Sequence, residues 1–150
     1  MYSNPHAALG LVLTTTTYVL TNNEELAFAI GIPLAIASHY FLDFLFEKHL
    51  STKEVIEYDV IPSLIYVLLA LFSGHFWLAM FSWWAGNLFD LIDKKLYLTI
   101  FFPKKFKATH YFHNHKNGIR FTLEQTKLAS VISTVIIIGM MFILKQINNG

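Results

Sequence analysis

Ser38-His39-Tyr40-Phe41-Leu42-Asp43 lies inside an apolar run from Leu26 to Phe46, and its reading decides the fold. On a helix, an imidazole and a carboxylate four residues apart project from one face, a turn above each other. In water such a pair is ordinary. In a segment long enough to cross a bilayer each ionisable group is costly, faces a bundle interior and marks a functional site. The alternative is a structural pair, hydrogen-bonded across the bundle and fixing how its helices pack.

Composition supports the membrane setting. Of 150 residues, 55% are hydrophobic, 16% aromatic and only 14% charged, and the mean hydropathy is +0.48. A soluble domain of this length needs more polar surface, so the expected class is an all-α polytopic bundle. No Gly/Ser/Pro linker, low-complexity tract or repeat divides the chain, and residues 1–150 are expected to form one transmembrane domain. The absence of cysteine excludes disulfides, thiolate zinc sites and thiol nucleophiles. Met1 to Pro5 lacks a basic region and a small-residue cleavage site, so the first apolar segment is expected to be a retained helix.

Five helices are expected, at about 6–20, 25–46, 60–73, 75–93 and 128–144. The first is only marginally apolar, because Thr14 to Thr17 interrupt it; threonine hydroxyls returned to the backbone permit a span. Glu24-Glu25 favours the start of the second helix, which tolerates Gly31 and Pro33. A polar connector runs from Glu47 to Asp59. Val60 to Ile92 would make one helix of roughly 50 Å, against a hydrocarbon core of about 30 Å. Ser73-Gly74 divides it into two helices joined by a tight turn. A basic connector, 94–127, mixes lysines with aromatics in the manner of an interfacial segment.

The positive-inside rule orients this bundle. With the N-terminus in and the C-terminus out, Lys48, Lys53, Lys94, Lys95, Lys104, Lys105, Lys107, Lys116, Arg120 and Lys127 lie inside, and only Lys145 lies outside. A four-span chain would export most of them. The same orientation collects His6, His39, Asp43, Asp59, Asp90, Asp93, His110, His113 and His115 at the inner face and leaves His75 at the outer one. Imidazoles and carboxylates from several helices at one depth are the donor set of a divalent metal site. Asp59 and Asp93 read more simply as solvated interfacial charges. Ser73-Gly74-His75 resembles a motif of the membrane acid phosphatases, but that superfamily places it before a His-x-x-x-Asp, the reverse of the order here.

Four stretches carry a broader resemblance: Pro5-His6-Ala7-Ala8-Leu9-Gly10, Ala37-Ser38-His39-Tyr40-Phe41-Leu42-Asp43, Ala85-Gly86-Asn87-Leu88-Phe89-Asp90 and the histidines around His113. Through them the chain, over most of residues 5–115, resembles the membrane-bound metal-dependent hydrolases found widely in prokaryotes. Two positions depart from that pattern: Phe89 stands where the family has proline, and Glu47-Lys48-His49 where it often has Pro-His. The resemblance implies His6, His39, Asp43 and Asp90 as metal ligands. Zinc is the expected ion, given imidazole and carboxylate donors without thiolate.

The leading expectation is a metal-dependent hydrolase of the prokaryotic inner membrane, acting at the cytoplasmic leaflet on a phosphoester of a lipid or lipid-linked substrate. His110, His113 or His115 would serve as acid or base, and Lys104, Lys105 and Lys107 would hold an anionic headgroup. Nucleic acid is not expected as a partner, and an oligomer is compatible with the sequence. The alternative is a non-enzymatic membrane protein, a metal or proton carrier subunit or an assembly factor, whose His/Asp cluster fixes helix packing.

Overall fold

Prolines shape two outward-facing stretches of chain. Pro33 and Pro62 have no N–H to give the carbonyl four residues back and crowd it sterically. In each case the chain widens into a π-helical turn just before the ring, at Ala27–Gly31 and at Ile56–Val60. The widened turn keeps the helix continuous across the proline.

The computed structural model describes residues 3–42, 45–46, 50–94 and 119–148. Among these, helix α1 is Ser3–Thr21. Helix α2 comprises Glu24–Leu26, the π-turn Ala27–Gly31 and Ile32–Leu42. Helix α3 comprises Thr52–Val55, the π-turn Ile56–Val60 and Ile61–Phe72. Helix α4 is Phe76–Lys94 and α5 is Leu123–Asn148. Two-residue extended segments, β1 (Leu45–Phe46) and β2 (Ile119–Arg120), pair in parallel. The architecture is all-helical.

Two helix starts differ from the sequence expectation for one reason. Ser51 and Glu54 form a capping box: Ser51 N and Oγ both donate to Glu54 Oε2, at 2.9 and 2.8 Å. Thr122 and Gln125 form another, with Thr122 N donating to Gln125 Oε1 at 2.8 Å and Gln125 N to Thr122 Oγ1 at 3.2 Å. Each box satisfies backbone donors that a helix start leaves open. So α3 begins at Thr52, inside the expected polar connector, and α5 at Leu123, ahead of 128. Helix α2 ends at Leu42, short of the expected Phe46, which is extended and paired to Arg120.

Three helical stretches are long and apolar enough to cross a membrane: Glu24–Leu42, Lys53–Phe72 and Leu123–Ile147. Their large side chains face outward, among them Leu34, Phe41, Leu64, Leu68, Val135 and Phe142. The marginally apolar α1 is the middle of the bundle, packed on α2, α4 and α5. It buries Asn4, His6, Thr14 and Thr15 beside Ala7, Ala8, Gly10 and Leu11. Lipid cannot satisfy polar atoms, so the helix that buries more polar side chains than any other among the described residues is enclosed by the others. Thr14, Thr17 and Thr21 return their hydroxyls to the carbonyls of Gly10, Leu13 and Thr17.

Small residues let α1 and α4 approach to backbone contact. A Cβ at Gly10 would stand 2.6 Å from the Ser82 carbonyl oxygen, and one at Gly86 would overlap the His6 carbonyl. Close approach through small residues is how helices associate where lipid removes the hydrophobic driving force. Thr14 and Ser82 hydroxyls bond across the same contact. The α3–α4 turn holds Gly74 at φ 80°, a left-handed conformation that favours glycine. Tyr66 ties the two helices by donating to Ala79 O at 2.6 Å.

Candidate metal centre

The close approach of α1 and α4 sets the position of two histidines. His6 lies in the second turn of α1 and His39 in the last turn of α2, so antiparallel packing brings them to one end of the bundle. Their rings stack, with centroids 4.0 Å apart and planes 22° from parallel. Each residue is 1% exposed. Phe89 of α4 tilts over His39 with its centroid 5.3 Å away.

His39 Nδ1 and Gly86 O are 2.7 Å apart. A carbonyl only accepts, so Nδ1 carries the proton and donates, and in the neutral ring the lone pair falls to Nε2. A backbone carbonyl on one ring nitrogen is the arrangement that orients a metal-binding histidine through the other. The donor chemistry of His6 and His39 therefore fits a divalent ion of the zinc class. The stack adds a condition. Planes 22° apart converge far beyond the reach of a zinc–nitrogen bond of about 2 Å, so sharing one ion requires one ring to turn out of the stack.

The other expected ligands are described less fully. Asp43 lies outside the described residues, immediately past the end of α2. Asp90 follows Gly86 by one turn of α4, and only its backbone is described. Among the described residues no group of three or more His, Asp or Glu surrounds a common point. Lys104, Lys105, Lys107, His110, His113 and His115 all fall outside the described residues.

A second polar layer at this end went unread in the sequence. Asp59, expected as a solvated charge, accepts from Ser3 Oγ at 2.8 Å and Asn4 N at 3.2 Å. It thus places a carboxylate on the open N–H groups and positive dipole end of α1. The Asn4 side chain, 1% exposed, donates through Nδ2 to Ser130 O at 2.8 Å and to Thr134 Oγ1 at 3.0 Å. Ser130 Oγ donates to Tyr58 O, the carbonyl four residues before Pro62. The serine of α5 supplies the hydrogen bond that the proline withholds. Lys127 Nζ meets Glu54 Oε1 at 2.9 Å, joining the first turns of α3 and α5. The signal that could have placed Glu54 and Lys127 on helices was the pair of capping boxes, Ser51-x-x-Glu54 and Thr122-x-x-Gln125.

An apolar cleft of about 330 Å³ runs between α1 and α5, walled by Pro5, Ala8, Leu9, Val12, Ile132 and Ile136, with Leu42 and Phe121 at its margin. Pro5 adjoins His6 in the chain, and Leu42 adjoins Asp43. At the opposite end of the bundle His75 is buried, with Nδ1 3.7 Å from Glu24 Oε1 and its ring edge-on to Tyr18 at 4.8 Å.

No protein-family model matches this chain, and neither does any curated protein or solved structure.

Proposed function

We propose that the protein is a metal-dependent hydrolase embedded in a prokaryotic cell membrane, acting at the cytoplasmic leaflet on a phosphoester of a lipid or lipid-linked substrate. One observation carries this reading: His6 and His39, from different helices, stand side by side inside the bundle, and Gly86 of a third helix holds the His39 tautomer whose Nε2 can bind a cation. His6 and His39 would hold the ion, with Asp43 and Asp90 as the acidic ligands. Such an ion supplies Lewis-acid polarisation of a phosphoester oxygen. Gly86 and Phe89 orient and enclose His39, while Asn4 and Asp59 fix the start of α1 and with it the position of His6. The apolar cleft beside Pro5 suits the hydrocarbon part of a lipid substrate. His110, His113 and His115 are the acid–base candidates, and Lys104, Lys105 and Lys107 the headgroup contacts.

The near-parallel stack favours a second reading, in which the two imidazoles are a packing contact of a non-enzymatic membrane protein. Metal analysis separates the two. Protein purified without chelator is expected to carry up to one divalent ion per chain, lost on chelation together with thermal stability and any lipid phosphoesterase activity. Metal-free protein whose stability is the same with and without chelator would leave only the packing contact.

A further inference from the structure

Helices α1 and α5 run side by side in the same direction, held in register at one end by Asn4 Nδ2 on Ser130 O. The apolar cleft of about 330 Å³ lies between them. Its walls run from Pro5 to Val12 on α1 and from Ala129 to Ile136 on α5. Each stretch covers seven residue steps, about 10 Å along a helix. The cleft is therefore an upright slot with a mean cross-section of about 33 Å². Leu42, at the end of α2, and Phe121, just before α5, stand at its His6 end. Ala8 and Ser133 form a buried floor, 3% and 7% exposed, whereas Ile132 and Ile136 on the rim are 50% and 37% exposed. The slot thus opens sideways, through the outward face of a helix apolar enough to cross a membrane.

Size and surroundings select the occupant. Bound water needs several polar partners, and Ser133 alone of the lining residues has a polar side chain. Left empty, the slot forfeits the dispersion contacts of its walls. A helix from a second copy of the chain, about 10–12 Å across with its side chains, needs more than twice the cross-section. A hydrocarbon chain, whose carbons sit about 4 Å from those of its neighbours, fits, and the bilayer supplies such chains at the rim. Pro5 lies in the first turn of α1, so the nearer membrane surface is at the His6 end. We propose that this cleft binds one acyl chain of a membrane glycerophospholipid, upright between α1 and α5, with the headgroup at the His6 end and the second chain left in the bilayer. The chain site holds whether the histidines bind a metal or only pack; that the chain belongs to a substrate rests on the hydrolase reading above.

The test is photolabelling of the full-length protein in phosphatidylcholine nanodiscs that contain a small fraction of phosphatidylglycerol with a diazirine midway along one acyl chain. Peptide mass spectrometry locates the adducts. Chains of the surrounding lipid reach the rim residues Ile132 and Ile136 in any case, and the outward-facing Leu64 and Leu68 of α3. Only a chain seated in the slot reaches Ala8 and Ser133. Adducts at Ala8 and Ser133 are expected at a level comparable with Leu64 and Leu68. In Ala129→Phe, whose ring fills the slot, they should fall several-fold while the α3 adducts stay unchanged. Adducts confined to the outward-facing residues would overturn the proposal. So would floor adducts that persist undiminished in a folded Ala129→Phe protein, or that form with a diazirine-bearing polyprenyl phosphate and not with the phospholipid. The wild-type pattern is decisive even where Ala129→Phe fails to fold. It is read without metal or activity, so its failure and that of the hydrolase reading are told apart.

Discussion

At the scale of single residues, His39 is the position where packing and chemistry separate. Its Nδ1 serves the fold through Gly86 O, and its Nε2 is the nitrogen that the proposed ion would use. Asparagine places an N–H close to where Nδ1 stands and has nothing at Nε2. His39→Asn is therefore expected to keep the bundle folded while its metal content falls to background. His39→Phe loses the hydrogen bond as well, so it should be less stable than His39→Asn by about 1 kcal/mol, with the same loss of metal. Metal content by elemental analysis and unfolding in detergent check both. A His39→Asn protein that keeps full metal would remove His39 from the site. Ligands of one ion act as a unit, so Asp90→Ala should add little to the metal loss of His39→Asn, whereas an unrelated Asp90 would act independently.

At the scale of helices, contacts between backbones matter more than large side chains. Gly86→Ala places a methyl group against the His6 carbonyl, and neither helix backbone can turn aside. Forcing α4 from α1 should cost about 1–3 kcal/mol and disturb the histidine stack. Gly139 on α5 is the control. A Cβ there meets nothing within 4 Å, so Gly139→Ala should be neutral or stabilising by about 0.5–1 kcal/mol. Equal effects at the two glycines would contradict the close α1–α4 approach. The Pro62 region makes a further prediction. Ser130→Ala withdraws the donor to Tyr58 O and should cost about 1 kcal/mol, since a part-buried carbonyl loses its side-chain donor. In a Pro62→Ala background the restored N–H can serve that carbonyl, and the same serine change should cost less. Equal costs in the two backgrounds would show that Ser130 does not substitute for the missing N–H.

At the scale of the whole molecule, the bundle buries polar side chains beside an apolar core and is apolar outside, and its two ends differ. The His6 end gathers His39, Asp59, Glu54 and Lys127; His75 and Glu24 lie at the other. Reporter fusions after Gly150 should report the non-cytoplasmic side, and fusions within 94–125 the cytoplasmic side. Gly150 in the cytoplasm would overturn the five-span orientation and the inner-leaflet site with it. Much of this was legible in the sequence. The scarcity of charge called for a membrane bundle, Ser73-Gly74 called for a turn, and the spacing of His6 and His39 along antiparallel helices brought them to one depth. These follow from composition and local periodicity, which the chain carries residue by residue. Only the tertiary structure decided that the threonine-rich α1 is the central helix, that the two imidazoles stack, that Gly86 orients His39, and that Ser130 answers Pro62. Asn4 and Ser130 are 126 residues apart, and no local pattern selects such a partner. Which helix faces are close enough to touch, and which buried polar atoms then meet, is settled by small residues and hydrogen bonds across the assembled bundle.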